Sequence, residues 1–341
     1  MTNTHAQKLF HLTLAVGVLL AQTASAPVTI ETVPVGNAGN AADTTGYGAV
    51  AYDYAIGKYE VTLNQYSEFL NAVAATDTYG LYNVNMGTDL NSAGIARSGV
   101  SGSYTYSVIG SGNRPVTYVS WYDSARFVNW LHNGQPVGLQ AAGTTETGAY
   151  TLTGNSGLIT RNSGWLYGLP SENEWYKAAY HQPAAQGGDS DDYWLYPTAN
   201  NAIPNSRNGS ASDANSGNFR RDDGIANGFN GGYAVSQSPT YSSTQNYLTD
   251  AGAFSLADSY YGTFDQGGNV WEWNDAIIGS ARGLRGGAWG SLESSLRASL
   301  RSSYDPAGED NDVGFRIAIV PEPSVAGLMG LGIIVAAWKR K

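Results

Sequence analysis

The chain contains no cysteine at all among 341 residues. That excludes disulfides, so packing and bound ions must hold any long loops of an exported domain. It also excludes every chemistry that needs a thiolate. Charge is scarce, at 13% of residues, and its balance is −10. An acidic body without a basic run argues against a nucleic-acid partner. Histidine is nearly absent too. Of four, His5 and His11 fall in the N-terminal segment, leaving His132 and His181. Two imidazoles and no thiolate cannot build a usual three-ligand histidine or thiolate metal site within one chain. No G-x-S-x-G, Walker loop, G-x-G-x-x-G or solenoid-period repeat occurs.

What is abundant is glycine, with 43 residues, and aromatic side chains, at 12%. Hydrophobic residues make up 42%, ample for a core, and the length permits one large domain or two small ones. Low charge with much Gly, Tyr, Asn and Ser points to a loop-rich, β-leaning fold. The ends differ from the body. Lys8, an apolar run over residues 9–21 and Ala24-Ser25-Ala26 read as a signal peptide over residues 1–26. Pro27 directly after the A-x-A site leaves the cut position open, and a buried N-terminal helix is the competing reading. Near the other end, Pro321-Glu322-Pro323 leads into an apolar stretch over 325–338 and then Lys339-Arg340-Lys341. That stretch is shorter than the ~20 residues a stable span prefers. Its basic tip would stay cytoplasmic and leave the body outside.

Between the ends, one α+β domain over residues 28–320 is expected, with about three short helices and several antiparallel strands. Thr62 with Gln65 forms a capping box, and Leu63, Tyr66, Leu70 and Val73 recur at helical spacing, predicting a helix over 63–74. Ser120 and Asp123 start a second helix, which carries Ala125, Val128 and Leu131 and ends at Gly134. His132 in its last turn would favour the helix dipole as a cation. Ser171 and Glu174 start a third, with Trp175, Ala178 and Ala179 inward and Glu172 and Glu174 read as helix-start electrostatics, with a paired-carboxylate site the competing reading. Strands are expected near 28–33, 52–59, 104–108, 150–153 and 315–319. Residues 183–262 show no sustained periodicity. Asn215, Asn218, Asp222, Asp223 and Asn227 there are candidate ion ligands, a choice that polar loop composition explains equally well. Glu60 reads as an ion-pair partner, with a catalyst the competing reading, and Arg297 and Arg301 as partners of buried carboxylates, with substrate binding the competing role.

The chain is organised around Gly267-Gly268-Asn269-Val270-Trp271-Glu272-Trp273, with Asp265 before it and Arg285-Gly286-Gly287-Ala288-Trp289 after it. Alternation sends Trp271 and Trp273 to one face as core, and Val270 and Glu272 to the other. Asp265 and Glu272 beside exposed backbone carbonyls offer the oxygens that hard cations such as calcium use.

GGNVWEW, RGGAW and Val313-Gly314-Phe315-Arg316, with GKYEVT at 57–62, the Ser120-Trp121 helix and LPSENEW at 169–175, resemble the formylglycine-generating enzyme, or sulfatase-modifying factor, family over roughly residues 50–320. The resemblance implies a variant of the C-type lectin-like fold. It implies a calcium site at the Asp265 side chain, the Gly268 and Val270 carbonyls and the Glu272 side chain, a spacing of i, i+3, i+5 and i+7. A metal-free turn with Glu272 paired to an arginine such as Arg285 is the competing reading. The family's oxidases imply two copper-binding cysteines, near whose positions this chain has Ser291 and Leu296. A serine hydroxyl is a poor ligand for Cu(I). That oxidase mechanism is therefore not expected, and no copper or catalytic residue is assigned. The family's iron-dependent members imply a histidine cluster that two histidines cannot supply. Residues 320–341 resemble a PEP-CTERM sorting signal, implying a short membrane helix, processing by an exosortase-type enzyme, and export to the surface or matrix of a Gram-negative bacterium. A plain tail anchor is the competing reading. Two functions follow as expectations: a non-catalytic surface module binding glycan or protein, or an enzyme of divergent mechanism. A closed apolar surround at Ser291 would favour the first, and a polar cleft there the second.

Overall fold

The computed structural model describes residues 27–206, 213–221 and 232–320. The expected signal peptide, the apolar stretch over 325–338, Asp222, Asp223 and Asn227 lie outside them. Among the described residues no helix is long and apolar enough to cross a membrane.

The three capping boxes all form. Helix α1, Leu63–Val73, has Thr62 accepting the Gln65 amide at 3.4 Å while Gln65 takes the Thr62 amide at 2.9 Å. Helix α2, Asn85–Thr88, is a single turn that sequence reading missed, because Val84 before it supplies no side-chain cap. Helix α3, Trp121–His132, starts on Ser120, whose amide is taken by Asp123 at 3.0 Å. Helix α4, Glu172–Tyr180, starts on Ser171, whose amide is taken by Glu174 at 2.5 Å. Each cap satisfies two donors that the first turn leaves orphaned. The stripe Leu63, Tyr66, Leu70 and Val73 is buried throughout. It meets α3 through a ring cluster in which Phe127 lies 5.4 Å from Phe69 and 5.5 Å from Phe315. Such pairs each add about 0.5–1.5 kcal/mol beyond their buried area.

Two four-stranded sheets share the core. The first, all antiparallel, runs Thr32–Val35, Tyr54–Gly57, Ala318–Ile319, Tyr167–Gly168. The second runs Ser302–Tyr304, Ala281–Arg285, Trp271–Ile278, Val313–Gly314, its last pair parallel. The expected terminal strand over 315–319 is therefore split. Val313–Gly314 belongs to one sheet and Ala318–Ile319 to the other, with Phe315, Arg316 and Ile317 fully buried at the crossing. The strands expected over 28–33 and 52–59 are shorter, at Thr32–Val35 and Tyr54–Gly57. Around Tyr150 only a bridge between Thr147 and Thr151 forms. The Asn129 side chain takes the Tyr150 amide at 2.8 Å and donates to its carbonyl at 3.1 Å, occupying the groups a ladder would need. The hairpin near Tyr104 to Val108 is present, pairing Thr105–Val108 with Ile95–Ser98. Trp273 is core, but Trp271 is half-buried and Glu272 is fully buried, so the strand is covered on both faces over Glu272, Trp273 and Asn274, while Ile277 near its end is exposed.

Candidate functional site

The Gly267 to Glu272 segment reaches its place through backbone that few residues tolerate. Asp265, Gly268 and Asn269 take φ of 60°, 100° and 60°. A Cβ on Gly268 would lie 2.3 Å from the Asn218 carbonyl oxygen, so only glycine fits. Asn269 then locks the turn. Its side-chain oxygen accepts from Asn218 at 3.0 Å and from the Thr249 amide at 3.2 Å, and its nitrogen donates to Glu60 at 3.2 Å. Asn218 thus serves the turn through its amide side chain, while Asn215 bonds Thr198 at 2.6 Å, well apart in the network.

Glu272 is fully buried and held at both oxygens. Arg316 donates to them at 2.6 and 2.7 Å, and Trp175 of α4 donates at 2.7 Å. The sequence reading offered Arg285 as the arginine for Glu272, and the structure corrects this. Arg285 sits directly across the strand pair, yet its guanidinium binds Glu172 at 2.7 Å, as does Arg301 from the other side at 2.7 Å. Glu172 is thereby a clamp joining α4 to the segment after Leu296. Arg297 departs from its expected role by pairing with the Tyr196 hydroxyl at 2.9 Å rather than with a carboxylate.

Asp265 accepts the Gly252 amide at 2.6 Å. Burial pushes its carboxyl up to about 6, against the pull of that amide and of Arg316. Glu60 faces Asp265, Glu272 and Arg316, and burial, then the charge of Asp265, hold it well above the usual carboxylate range. Its second oxygen is buried with no hydrogen-bond partner. Three carboxylates thus share one guanidinium. A surface cavity of about 320 Å³ has Glu60 among its lining residues. Sequence reading weighed Glu60 as an ion-pair partner against a catalyst. Its position inside GKYEVT, between a strand and the α1 cap, was the available signal. Among the described residues, no group of three or more His, Asp or Glu side chains is arranged to hold a metal on its own. Any cation here would depend on backbone oxygens and would share Glu272 with Arg316.

The two histidines are occupied elsewhere. His132, in the last turn of α3, receives the Leu166 amide on its Nδ1 at 3.2 Å. His181 contacts the Tyr261 hydroxyl at 2.8 Å, and burial pushes it down to about 4.

Ser291 precedes a short 3-10 turn, Glu293–Leu296, and Leu296 ends it. The Ser291 hydroxyl accepts the Ala288 amide at 3.0 Å, and its carbonyl accepts the Arg220 amide at 2.8 Å. Leu296 is 1% exposed and packs with Tyr196 and Phe219. At the two positions the family resemblance marks for copper, the structure has a turn-forming hydroxyl and an apolar plug.

Two curated relatives, each an "Inactive C-alpha-formylglycine-generating enzyme 2", from Mus musculus and Bos taurus, are 30% identical over 159 residues. That stretch is 44% of this chain, which spans only 42% and 43% of the relatives' own lengths. Solved structures with a similar chain path include CarF, at 20% identity and TM-score 0.47, covering 86% of this chain and 99% of that one. PvdO from Pseudomonas aeruginosa follows at 16% and 0.41, covering 86% and 92%. Residues 320–341 match the PEP-CTERM protein-sorting motif. Residues 24–320 match the Sulfatase-modifying factor enzyme 1-like domain from one end of the body to the other, and the chain belongs to that family.

Proposed function

We propose that this chain is an exported, non-catalytic member of its family, a surface or matrix module that binds glycan or protein. The observation that carries the reading is the Ser291 to Leu296 segment. Its hydroxyl is spent on a turn, its apolar end is plugged into Tyr196 and Phe219, and the chain has no cysteine elsewhere. The sorting motif supports export and handling by an exosortase-type enzyme. Rings such as Tyr241, half-exposed and stacked on buried Tyr247, supply contact area at low entropy cost. Incubated with a cysteine-bearing sulfatase peptide and copper, the full chain should yield no aldehyde by mass spectrometry, while a glycan array or surface-protein pull-down should retain it. Aldehyde product would overturn the reading, as would failure to bind in both screens.

The same proposal includes a structural calcium ion at Asp265, Gly268, Val270 and Glu272. The orphaned Glu60 oxygen and the excess of carboxylate over guanidinium favour it. A bound divalent cation would offset charge that burial otherwise forces into protonation. At about 100 times its Kd, calcium should add ~2.7 kcal/mol, seen as a melting-temperature rise of about 5 °C or more. Copper should give no rise, and Asp265→Asn should abolish the calcium effect. Identical melting in calcium and in chelator would remove the ion from the account.

A further inference from the structure

The described domain begins and ends on one face. Val320 donates its amide to the Leu166 carbonyl at 3.2 Å, as a continuation of the Ile319 to Tyr167 pairing. Nearby, Gln135 takes the Val28 amide at 2.7 Å and donates to the Val28 carbonyl at 2.8 Å. Between these two ties lies a cavity of about 460 Å³, walled by Val28, Ala72, Trp130, Leu131, Leu166 and Tyr167. Its rim is the turn after α3. There Val137 is 72% exposed, and Leu139, two residues on, is 67% exposed. Large apolar side chains held that far into water mark an interaction surface when they cluster at an apolar recess.

What lies over this face follows from where the chain leaves it. The apolar stretch over 325–338 begins five residues after Val320. Five residues reach at most ~18 Å, so whatever medium holds that stretch is brought against the recess. Of the side chains that line it, Glu68 and His132 are the ionisable ones besides Tyr167, and the His132 Nδ1 is already taken by Leu166. An acidic chain of net charge −10 is repelled by anionic lipid, so the surface it fits is a zwitterionic one.

We propose that this face docks on a zwitterionic lipid bilayer while the 325–338 stretch is inserted, with Val137 and Leu139 seated at the headgroup level. The inference rests on reading residues 320–341 as a segment that holds the chain at a membrane. It gives the body one fixed orientation, with the recess down.

Because the chain has no cysteine, a single introduced one takes a label uniquely. Full-length Val137→Cys and Ser294→Cys, each carrying an environment-sensitive dye, are mixed with phosphatidylcholine vesicles. Flotation is measured first and quenching by brominated phosphatidylcholine second. Both variants should float with the vesicles, and the label at 137 should be quenched at least about twofold more than the label at 294. Equal quenching with normal flotation would overturn the docking face alone. Failure to float would overturn the membrane reading and this proposal with it. A label at 137 that is shielded from water without vesicles, and exposed on deleting residues 321–341, would show the recess housing the chain's own tail and would also overturn it.

Discussion

Replacing Arg316 with methionine should cost roughly 3–5 kcal/mol of folding stability, the usual result of removing one partner from a buried ion pair. Arg316 is fully buried, and its N–H groups reach both Glu272 oxygens and the carbonyls of Gly57 and Phe264. Methionine fills similar space but leaves Glu272 with only the Trp175 donor, and it removes the cation that Glu60 and Asp265 also face. Lysine keeps the charge but not the fork, so Arg316→Lys should still lose more than about 1 kcal/mol. Adding Glu272→Gln to Arg316→Met should recover part of the loss, because the two sites share one interaction. Urea titrations of the four chains, compared at equal m-values, measure this. A loss below about 1 kcal/mol for Arg316→Met would mean that the cluster neutralises itself by protonation and that the arginine is replaceable.

Much of this architecture was legible from local signals. The three capping boxes placed α1, α3 and α4, because a cap is a contract between residues three apart. Glycine at 268 announced a backbone that no other residue accepts. What local reading could not supply was partner choice over distance. Glu272 and Arg285 are opposite each other on paired strands, yet they bind Arg316 and Glu172. That exchange is decided by α4 and the crossing segment, which lie 97 and 44 residues from Glu272 in sequence. The same holds for Tyr150. Its surroundings read as a strand, but an asparagine on α3 had already taken its amide and carbonyl.

At the two positions that the family resemblance marks for copper, the local frame is anchored at its ends and packed inside. Arg285 and Arg301 still clamp Glu172 on either side of the Ser291 to Leu296 segment, so the segment is anchored at both ends. Inside it, the side chains have been given to packing. Leu296 closes against Tyr196 and Phe219, and the Tyr180 hydroxyl donates to its carbonyl at 3.0 Å. A scaffold held by buried ion pairs tolerates substitution inside such a segment, because the anchors and the residues between them make separate contacts.

Between pH 5 and 7 the ionisation of Asp123 should cost the domain stability as pH rises, in opposition to buried His181, whose lowered value favours folding over the same range. Asp123 is fully buried, and burial pushes its carboxyl up to about 7, with Glu309 adding to the rise and Ser120 and Arg126 opposing it. One oxygen takes the Ser120 amide and hydroxyl at 3.0 and 2.6 Å, and the other has no hydrogen-bond partner. Arg126, 4.0 Å away, is committed to Glu146 at 2.8 and 3.0 Å. Half-buried Asp312 is pushed up to about 6 by burial and by Asp310, a smaller contribution of the same sign. An unfolded aspartate titrates near 3.9, so above that pH the unfolded chain has released a proton that the folded chain still holds. Stability from this difference is complete at low pH and is lost as pH rises through the folded value. For Asp123 the loss between pH 5 and 7 is roughly 2 kcal/mol. Asp123→Asn keeps an oxygen for the Ser120 amide and cannot ionise, so its urea midpoint should gain on the parent's as pH rises from 5 to 7 and exceed it near pH 7. A variant whose stability follows pH with the parent's slope would show Asp123 ionised throughout, its bare oxygen served by water.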